Sequence, residues 1–282
     1  MVFRLVNMLV AGLGEVGSAL FKIIAESKKF NVFGYDIDPS KTIHKIEEIP
    51  PNIEYIHICI PFVSTEKYVK IVTDYASKFS PKIIFLHSTV APGTSRKVYE
   101  ATKIPVIFTP IRGKHPYLKK HILFWPKWVV SIPPQYSEEG SKILSRIGLK
   151  TKIYWGPPET IELAKIFETV YRALLIAWWQ EMHRIARHFG ADLCSIAEFI
   201  GEVHRVLYDR PILYPGVIGG HCLIPNTKIL KSQYESIFLD AILSSNEKRQ
   251  KEVDNQDILN EIKKLKEIAM KYTNPKYYEG GV

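Results

Sequence analysis

Gly12, Gly14 and Gly17 constrain this chain more than any other feature. The run Met8-Leu9-Val10-Ala11-Gly12-Leu13-Gly14-Glu15-Val16-Gly17-Ser18-Ala19-Leu20 reads as a strand, a tight turn and the start of a helix. In that setting the first glycine permits the turn, the second lets a pyrophosphate approach the backbone, and the third lets the helix pack closely on the strand. The helix N-terminus presents its unpaired N–H groups to the phosphates. A second strand ends at Phe33-Gly34-Tyr35-Asp36, at the separation of about 20 residues expected for the acidic partner of such a loop. Asp36 would accept hydrogen bonds from the adenosine ribose hydroxyls and repel a 2′-phosphate, so NAD is favoured over NADP, with Lys41 near enough to soften the preference. The expected cofactor contacts on this segment are Gly12, Gly14, Glu15, Val16, Gly17 and Asp36. The plain alternative is a glycine turn with a helix-capping aspartate.

Short apolar runs and helical patterns then alternate, the rhythm of a parallel sheet with crossover helices. Strands are expected over 8–11, 31–35, 55–60, 82–87, 105–109, 128–132 and 152–155, with helices over 15–27, 64–78, 94–102 and 137–147. The pattern changes at Gly156-Pro157-Pro158-Glu159, where paired prolines suit a linker and a first helical turn. A long helix is expected from about Thr160 to His188, a shorter one from Leu193 to Gly201, and an amphipathic tail over 247–271 with Leu259, Ile262, Leu265 and Ile268 on one face. Val170, Leu174, Trp178, Met182 and Ile185 recur at helical spacing and predict a buried stripe, with Trp178 and Trp179 in core or dimer packing. The expected fold class is α/β: a Rossmann-type doubly wound parallel sheet in residues 1–156, followed by an all-helical domain with a long central helix in residues 157–282.

The 282 residues hold 46% hydrophobic and 24% charged side chains, a balance that excludes intrinsic disorder. No apolar run approaches the roughly 18 residues of a membrane span, and the first strand leads straight into the glycine loop, so a cytoplasmic protein without a membrane partner is expected. Cys59, Cys194 and Cys222 are an odd count at irregular spacing, which argues against a disulfide framework and a metal site and leaves free thiol chemistry. The net charge of +9 suits an anionic small molecule or simply solvated helix faces; the basic residues form no nucleic-acid motif.

Four further stretches resemble the UDP-glucose/GDP-mannose dehydrogenase family, in particular its UDP-N-acetylmannosamine dehydrogenase-like branch. His87-Ser88-Thr89-Val90-Ala91-Pro92-Gly93-Thr94 is similar to the family's Ser-Thr-Val-x-Pro-Gly-Thr segment, and Ile58-Cys59-Ile60-Pro61 to its strand-end proline. Glu162-Leu163-Ala164-Lys165 through Tyr171-Arg172 to Glu181 resembles the long central helix. Gly219-Gly220-His221-Cys222, preceded by Pro215-Gly216-Val217, resembles the branch's catalytic cysteine loop. The resemblance spans roughly residues 8–230 and implies oxidation of a nucleotide-sugar alcohol with NAD, through an aldehyde that the cysteine traps and a thioester that water hydrolyses. It adds Pro61 and Ser88 to the cofactor contacts, and implies Cys222 as nucleophile, Lys165 as a cation beside the developing oxyanion and Thr89 as a group that positions water. For Cys222 the alternative is a small buried apolar residue, and for Lys165 a solvated helix lysine.

Two positions depart from the family pattern. Thr169 stands where the family carries Asn, and Asn226 where it carries Asp; an amide cannot accept a proton at neutral pH, so Asn226 removes a base. Arg112 in Ile111-Arg112-Gly113-Lys114-His115-Pro116, together with Thr169, Arg205 and His221, are the substrate candidates. The chain is also expected to lack the family's C-terminal nucleotide-binding domain and to form a homodimer through the central helix. A two-electron hydroxy-acid or alcohol dehydrogenase, and an NAD-binding protein without catalysis, are the alternatives.

Overall fold

The computed structural model describes residues 5–274 and Lys276. They form two compact units that divide between Lys165 and Ile166.

The first unit is built on a seven-stranded sheet of order β2-β1-β3-β4-β5-β6-β7. β1 (Asn7–Ala11) is buried along its whole length, as befits a central strand covered on both faces. It pairs in parallel with β2 (Asn31–Tyr35) on one side and β3 (Tyr55–Ile58) on the other, which puts the topological switch beside the glycine loop. β4 (Ile83–Leu86) and β5 (Val106–Phe108) continue the parallel order. β6 (Lys127–Ile132) runs antiparallel to β5, and β7 (Thr151–Ile153) parallel to β6, so the sheet is mostly rather than wholly parallel. The connecting helices are α1 (Glu15–Ser27), α2 (Thr65–Phe79), α3 (Thr94–Thr102), α4 (Leu118–Phe124), which joins the antiparallel pair β5 and β6, and α5 (Ser137–Arg146). The two sheet faces carry separate cores, one around Val10, Phe85, Ile107 and Val129, the other around Leu9, Ile56, Leu86 and Phe108.

The second unit is helical. α6 (Pro158–His188) enters it, followed by α7 (Leu193–Leu207), α8 (Leu223–Lys231), α9 (Ile237–Glu252) and α10 (Gln256–Met270). Three sequence expectations are corrected here. Gly201 does not end α7: it lies inside the helix, where an added Cβ would fall 2.2 Å from the Tyr272 ring, so glycine serves close packing. The tail expected as one helix over 247–271 is two, broken where the Asn255 side chain accepts from the N–H groups of Asp257 and Ile258 and caps α10. The stripe expected on α6 is buried only in part: Val170 is buried and Leu174 and Met182 are half-buried, but Trp178 is 56% exposed and Ile185 is exposed too. The buried face also carries Ala173, Ala177, Trp179, Gln180 and His183, where Gln180 donates to the Gly216 carbonyl and His183 Nδ1 meets Arg249 of α9.

Candidate functional site

In the first unit the glycine loop has the geometry its spacing predicts. Gly12 sits at φ 88°, and a Cβ there would lie 2.9 Å from the Cys59 carbonyl. A Cβ on Gly17 would overlap the Gly12 carbonyl oxygen at 1.7 Å, so this helix can approach the loop only with glycine at that position. A Cβ on Gly14 would meet nothing within 4 Å. Gly14 is also the N-cap of α1 with no side-chain cap, which leaves first-turn N–H groups for a ligand. Glu15 and Val16 begin the helix, with Glu15 Oε1 3.5 Å from His115 Nδ1.

Asp36 follows β2 and reaches back to the loop: its Oδ2 accepts from the Leu13 N–H at 2.6 Å and its Oδ1 from the Asp38 N–H at 2.8 Å. Lys41 pairs with Asp38 at 2.9 Å. These residues fit a dinucleotide phosphate, with open space at Gly14, an uncapped helix and a carboxylate fixed at the end of the second strand.

The carboxyl ends of β3 and β4 are joined by Ser88 Oγ, which donates to the Ile60 carbonyl at 2.6 Å, beside exposed Pro61. Thr89 follows, half-buried. Glu162 then fixes the next turn. Its buried carboxylate accepts from the Gly93 N–H at 2.6 Å and from the N–H and Oγ of Ser95 at 2.8 and 2.6 Å, capping α3 from the first turns of α6. Burial raises its pKa, and these donors oppose the rise. Lys165 lies three residues on, half-buried. Arg112, a substrate candidate, has structural partners: its Nη2 donates to the Pro126 carbonyl at 2.7 Å, and its guanidinium lies 4.9 Å from the Trp125 ring centre.

In the second unit Cys222 is exposed at the N-cap of α8, after Gly220 at φ 82° and exposed His221. The other two thiols are unsuited to nucleophilic work. Burial pushes Cys59 up to about 12, and burial first, then Asp192, raises half-buried Cys194. Thr169 and Asn226, the two departures, meet: Asn226 Nδ2 donates to Thr169 Oγ1 at 2.9 Å, and Thr169 Oγ1 donates to the Ile166 carbonyl at 2.8 Å. Arg205 lies 4.7 Å from the Tyr272 ring centre on α7's exposed side.

Sequence reasoning missed the residues that hold the cysteine loop's approach. Asn246 accepts from the Ile218 N–H at 2.7 Å and donates to the Ile218 carbonyl at 3.2 Å, while Gln180 donates to the Gly216 carbonyl at 2.8 Å. Two buried amides thus do for residues 216–218 what a neighbouring strand would do. No motif marks them. Among the described residues no cluster of His, Cys, Asp and Glu could hold a metal ion, and no helix is long and apolar enough to cross a membrane.

The central domain of the UDP-glucose/GDP-mannose dehydrogenase family matches residues 159–249. The chain is 24% identical over 258 residues to the UDP-N-acetyl-D-mannosamine dehydrogenase of Methanocaldococcus jannaschii, covering 76% of this chain and 58% of that one. It is 28% identical over 187 residues to the Methanococcus maripaludis enzyme of the same name, covering 65% and 42%. It therefore spans a little over half the length of the first relative. Among solved structures, the UDP-D-ManNAc dehydrogenase of Pyrococcus horikoshii is similar with a TM-score of 0.71 and 19% identity, over 86% of this chain and 68% of that one. The 3-hydroxyisobutyrate dehydrogenase of Mycobacterium tuberculosis is similar with a TM-score of 0.64 and 12% identity, over 93% and 98%. At these identities the structures speak for the fold.

Proposed function

We propose that this chain is a member of the UDP-glucose/GDP-mannose dehydrogenase family and an NAD-dependent oxidoreductase acting on an alcohol carbon of a nucleotide sugar. The observation that carries this reading is the open, uncapped N-terminus of α1 at Gly14, beside an Asp36 carboxylate already anchored to Leu13. NAD would supply the hydride acceptor. Gly12, Gly14, Glu15, Val16 and Gly17 would hold its phosphates, Asp36 its ribose, and Pro61 and Ser88 the nicotinamide end.

Cys222 is the nucleophile in this reading. Its Sγ adds to the aldehyde carbon left by the first hydride loss, and the thiol proton passes to the oxygen, giving a thiohemiacetal. Loss of a second hydride and the hydroxyl proton leaves a thioester, which water cleaves to the acid and free thiol. Lys165 supplies a cation as negative charge develops on oxygen, and Thr89 positions water. Thr169, Arg205 and His221 remain substrate contacts, and Arg112 acts through the turn it stabilises. The exposed row Tyr171, Trp178 and Ile185 on α6 supports a homodimer through that helix.

The Thr169–Asn226 bond favours a second reading, a reaction that stops after one hydride transfer, because neither neutral group can take the proton that the Cys222 thiol must lose as it adds to the aldehyde. Thermal-shift titration with NAD, NADP and a panel of UDP- and GDP-sugars, followed by NADH formation, tests the proposal. NAD is expected to raise the melting temperature more than NADP, and NADH to appear only with a nucleotide sugar. No shift with NAD, and no NADH across the panel, would remove the reading.

A further inference from the structure

Lys127 opens β6 inside the core, 3% exposed. Its Nζ donates to the Thr109 carbonyl and, at 2.8 Å, to the Pro110 carbonyl, and lies 3.3 Å from His87 Nδ1. Pairing between β5 and β6 ends at Phe108 and Val130, so these two carbonyls lie beyond the ladder and are served by a side chain. His87 Nδ1 is also 3.1 Å from the Thr109 carbonyl oxygen, and His87 Nε2 is 2.9 Å from His57 Nδ1. His57 Nε2 is buried with no hydrogen-bond partner.

Hydrogen counting separates the two protonation states of this chain of groups. An ammonium at Lys127 would give its third N–H to His87 Nδ1. That nitrogen's lone pair would then face the Thr109 carbonyl, His87 Nε2–H would donate to His57 Nδ1, and His57 Nε2–H would be a buried donor without an acceptor. An unpaired buried nitrogen costs about 1–3 kcal/mol whether it holds a hydrogen or a lone pair, so what separates the two states is the His87 Nδ1 lone pair set against the Thr109 carbonyl oxygen at 3.1 Å.

A neutral amine leaves no such opposition. Its two N–H groups serve the two carbonyls, its lone pair and the Thr109 carbonyl share His87 Nδ1–H, and His57 Nδ1–H donates to His87 Nε2. His57 Nε2 then holds only a lone pair. Burial holds the Lys127 pKa well below its usual range; of the charged or titratable groups that face it, Cys59 opposes the shift, and Lys165 and Arg112 add to it.

We propose that Lys127 is a positioning residue held as an uncharged amine, which with His87 fixes the carboxyl ends of β4 and β5, the strands that carry Ser88, Thr89 and Arg112. The inference rests on the dinucleotide reading above for its functional half, because ligands of such sheets bind outside the carboxyl ends of the strands. Protonation of Lys127 would put an unpaired charge under those ends and loosen them.

Nitrogen NMR of the lysine side chains in the wild-type protein reads the charge without any variant, with Lys127→Met assigning the resonance, or Lys127→Arg should Lys127→Met not fold. NAD affinity measured by calorimetry across pH reads the positioning. The Lys127 nitrogen is expected in the amine region at neutral pH. Wild-type NAD affinity is expected to fall as that resonance moves to the ammonium region. Lys127→Met is expected to bind NAD about tenfold more weakly, with no pH dependence in that range. An ammonium resonance at neutral pH, or a Lys127→Met protein that binds NAD within twofold of wild type and follows its pH profile, would overturn the proposal. A wild-type protein that does not bind NAD at all would overturn the dinucleotide reading, and the NMR result would still decide the charge of Lys127.

Discussion

Asn226 Nδ2 donates a 2.9 Å hydrogen bond to Thr169 Oγ1, joining α8 to α6 through two side chains that are 5% and 7% exposed. The two positions at which the chain departs from the family pattern it resembles are therefore one local feature, a neutral pair where that pattern carries an amide and a carboxylate. Each change makes sense of the other, since a threonine hydroxyl can accept from an amide and donate onward to Ile166.

Asn226→Asp tests what the missing base does. The carboxylate would accept from Thr169 Oγ1 and regain the capacity to take a proton. If the wild type stops after one hydride transfer, the NADH released per nucleotide sugar consumed is expected to rise from one equivalent towards two, with general-base assistance worth about 10²-fold or more to addition of the Cys222 thiol to the aldehyde. Wild-type protein that already releases two equivalents would show that Asn226 imposes no such stop.

Gly14 and Gly12 separate ligand binding from folding. Gly14→Ala adds a methyl group that meets no protein atom within 4 Å, so the melting temperature should hold while NAD affinity falls about tenfold through the lost phosphate approach. Gly12→Ala forces an L side chain to φ 88° against the Cys59 carbonyl and should lower stability by at least about 1–2 kcal/mol. Denaturant unfolding and NAD titration on both variants decide; a Gly14→Ala protein with undiminished NAD affinity would remove the loop from the cofactor site.

His57 and His87 make stability depend on acid. Burial holds His57 to about 3 and His87 well below the usual imidazole range, whereas both take up protons near 6.5 in the unfolded chain. A group with a depressed folded pKa favours the folded state above the unfolded value, and that stability is lost as pH falls through the window between the two. Each histidine thus contributes a slope of up to about 1.4 kcal/mol per pH unit below pH 6.5. His57→Phe keeps an aromatic ring against Phe85, which the imidazole stacks on at 4.6 Å, and should flatten the slope by one histidine. Urea unfolding between pH 4.5 and 6.5 measures it, and parallel slopes for the two proteins would contradict the assignment.

What the sequence disclosed follows from how each feature is encoded. The glycine loop and Asp36 were legible because dihedral angle, close approach and strand spacing are local and leave a residue-type signature. α6 was legible in extent but only in part in facing: Val170 is buried, whereas Trp178 and Ile185 keep helical spacing on the exposed side and the buried side also uses Ala173, Ala177 and Gln180. α4 is seven residues and too short to show a period, and α9 puts its apolar residues at one end and its charges at the other. Lys127, His57, Asn246 and Glu162 carry no legible role in the sequence, because a single polar residue in an apolar strand or helix gains meaning only from partners distant in the chain. Glu162 reaches Gly93 and Ser95 from 69 and 67 residues away.

The central claim is that this chain oxidises a nucleotide sugar with NAD, using Cys222. Its most direct measurement is NADH formation by the purified protein with NAD and UDP-N-acetylmannosamine, beside Cys222→Ser. NADH from the wild type is expected to require both compounds, and its yield or rate to be sharply lowered in Cys222→Ser. Equal NADH from the two proteins would remove the thiol from the mechanism, and none from either would contradict the oxidation itself.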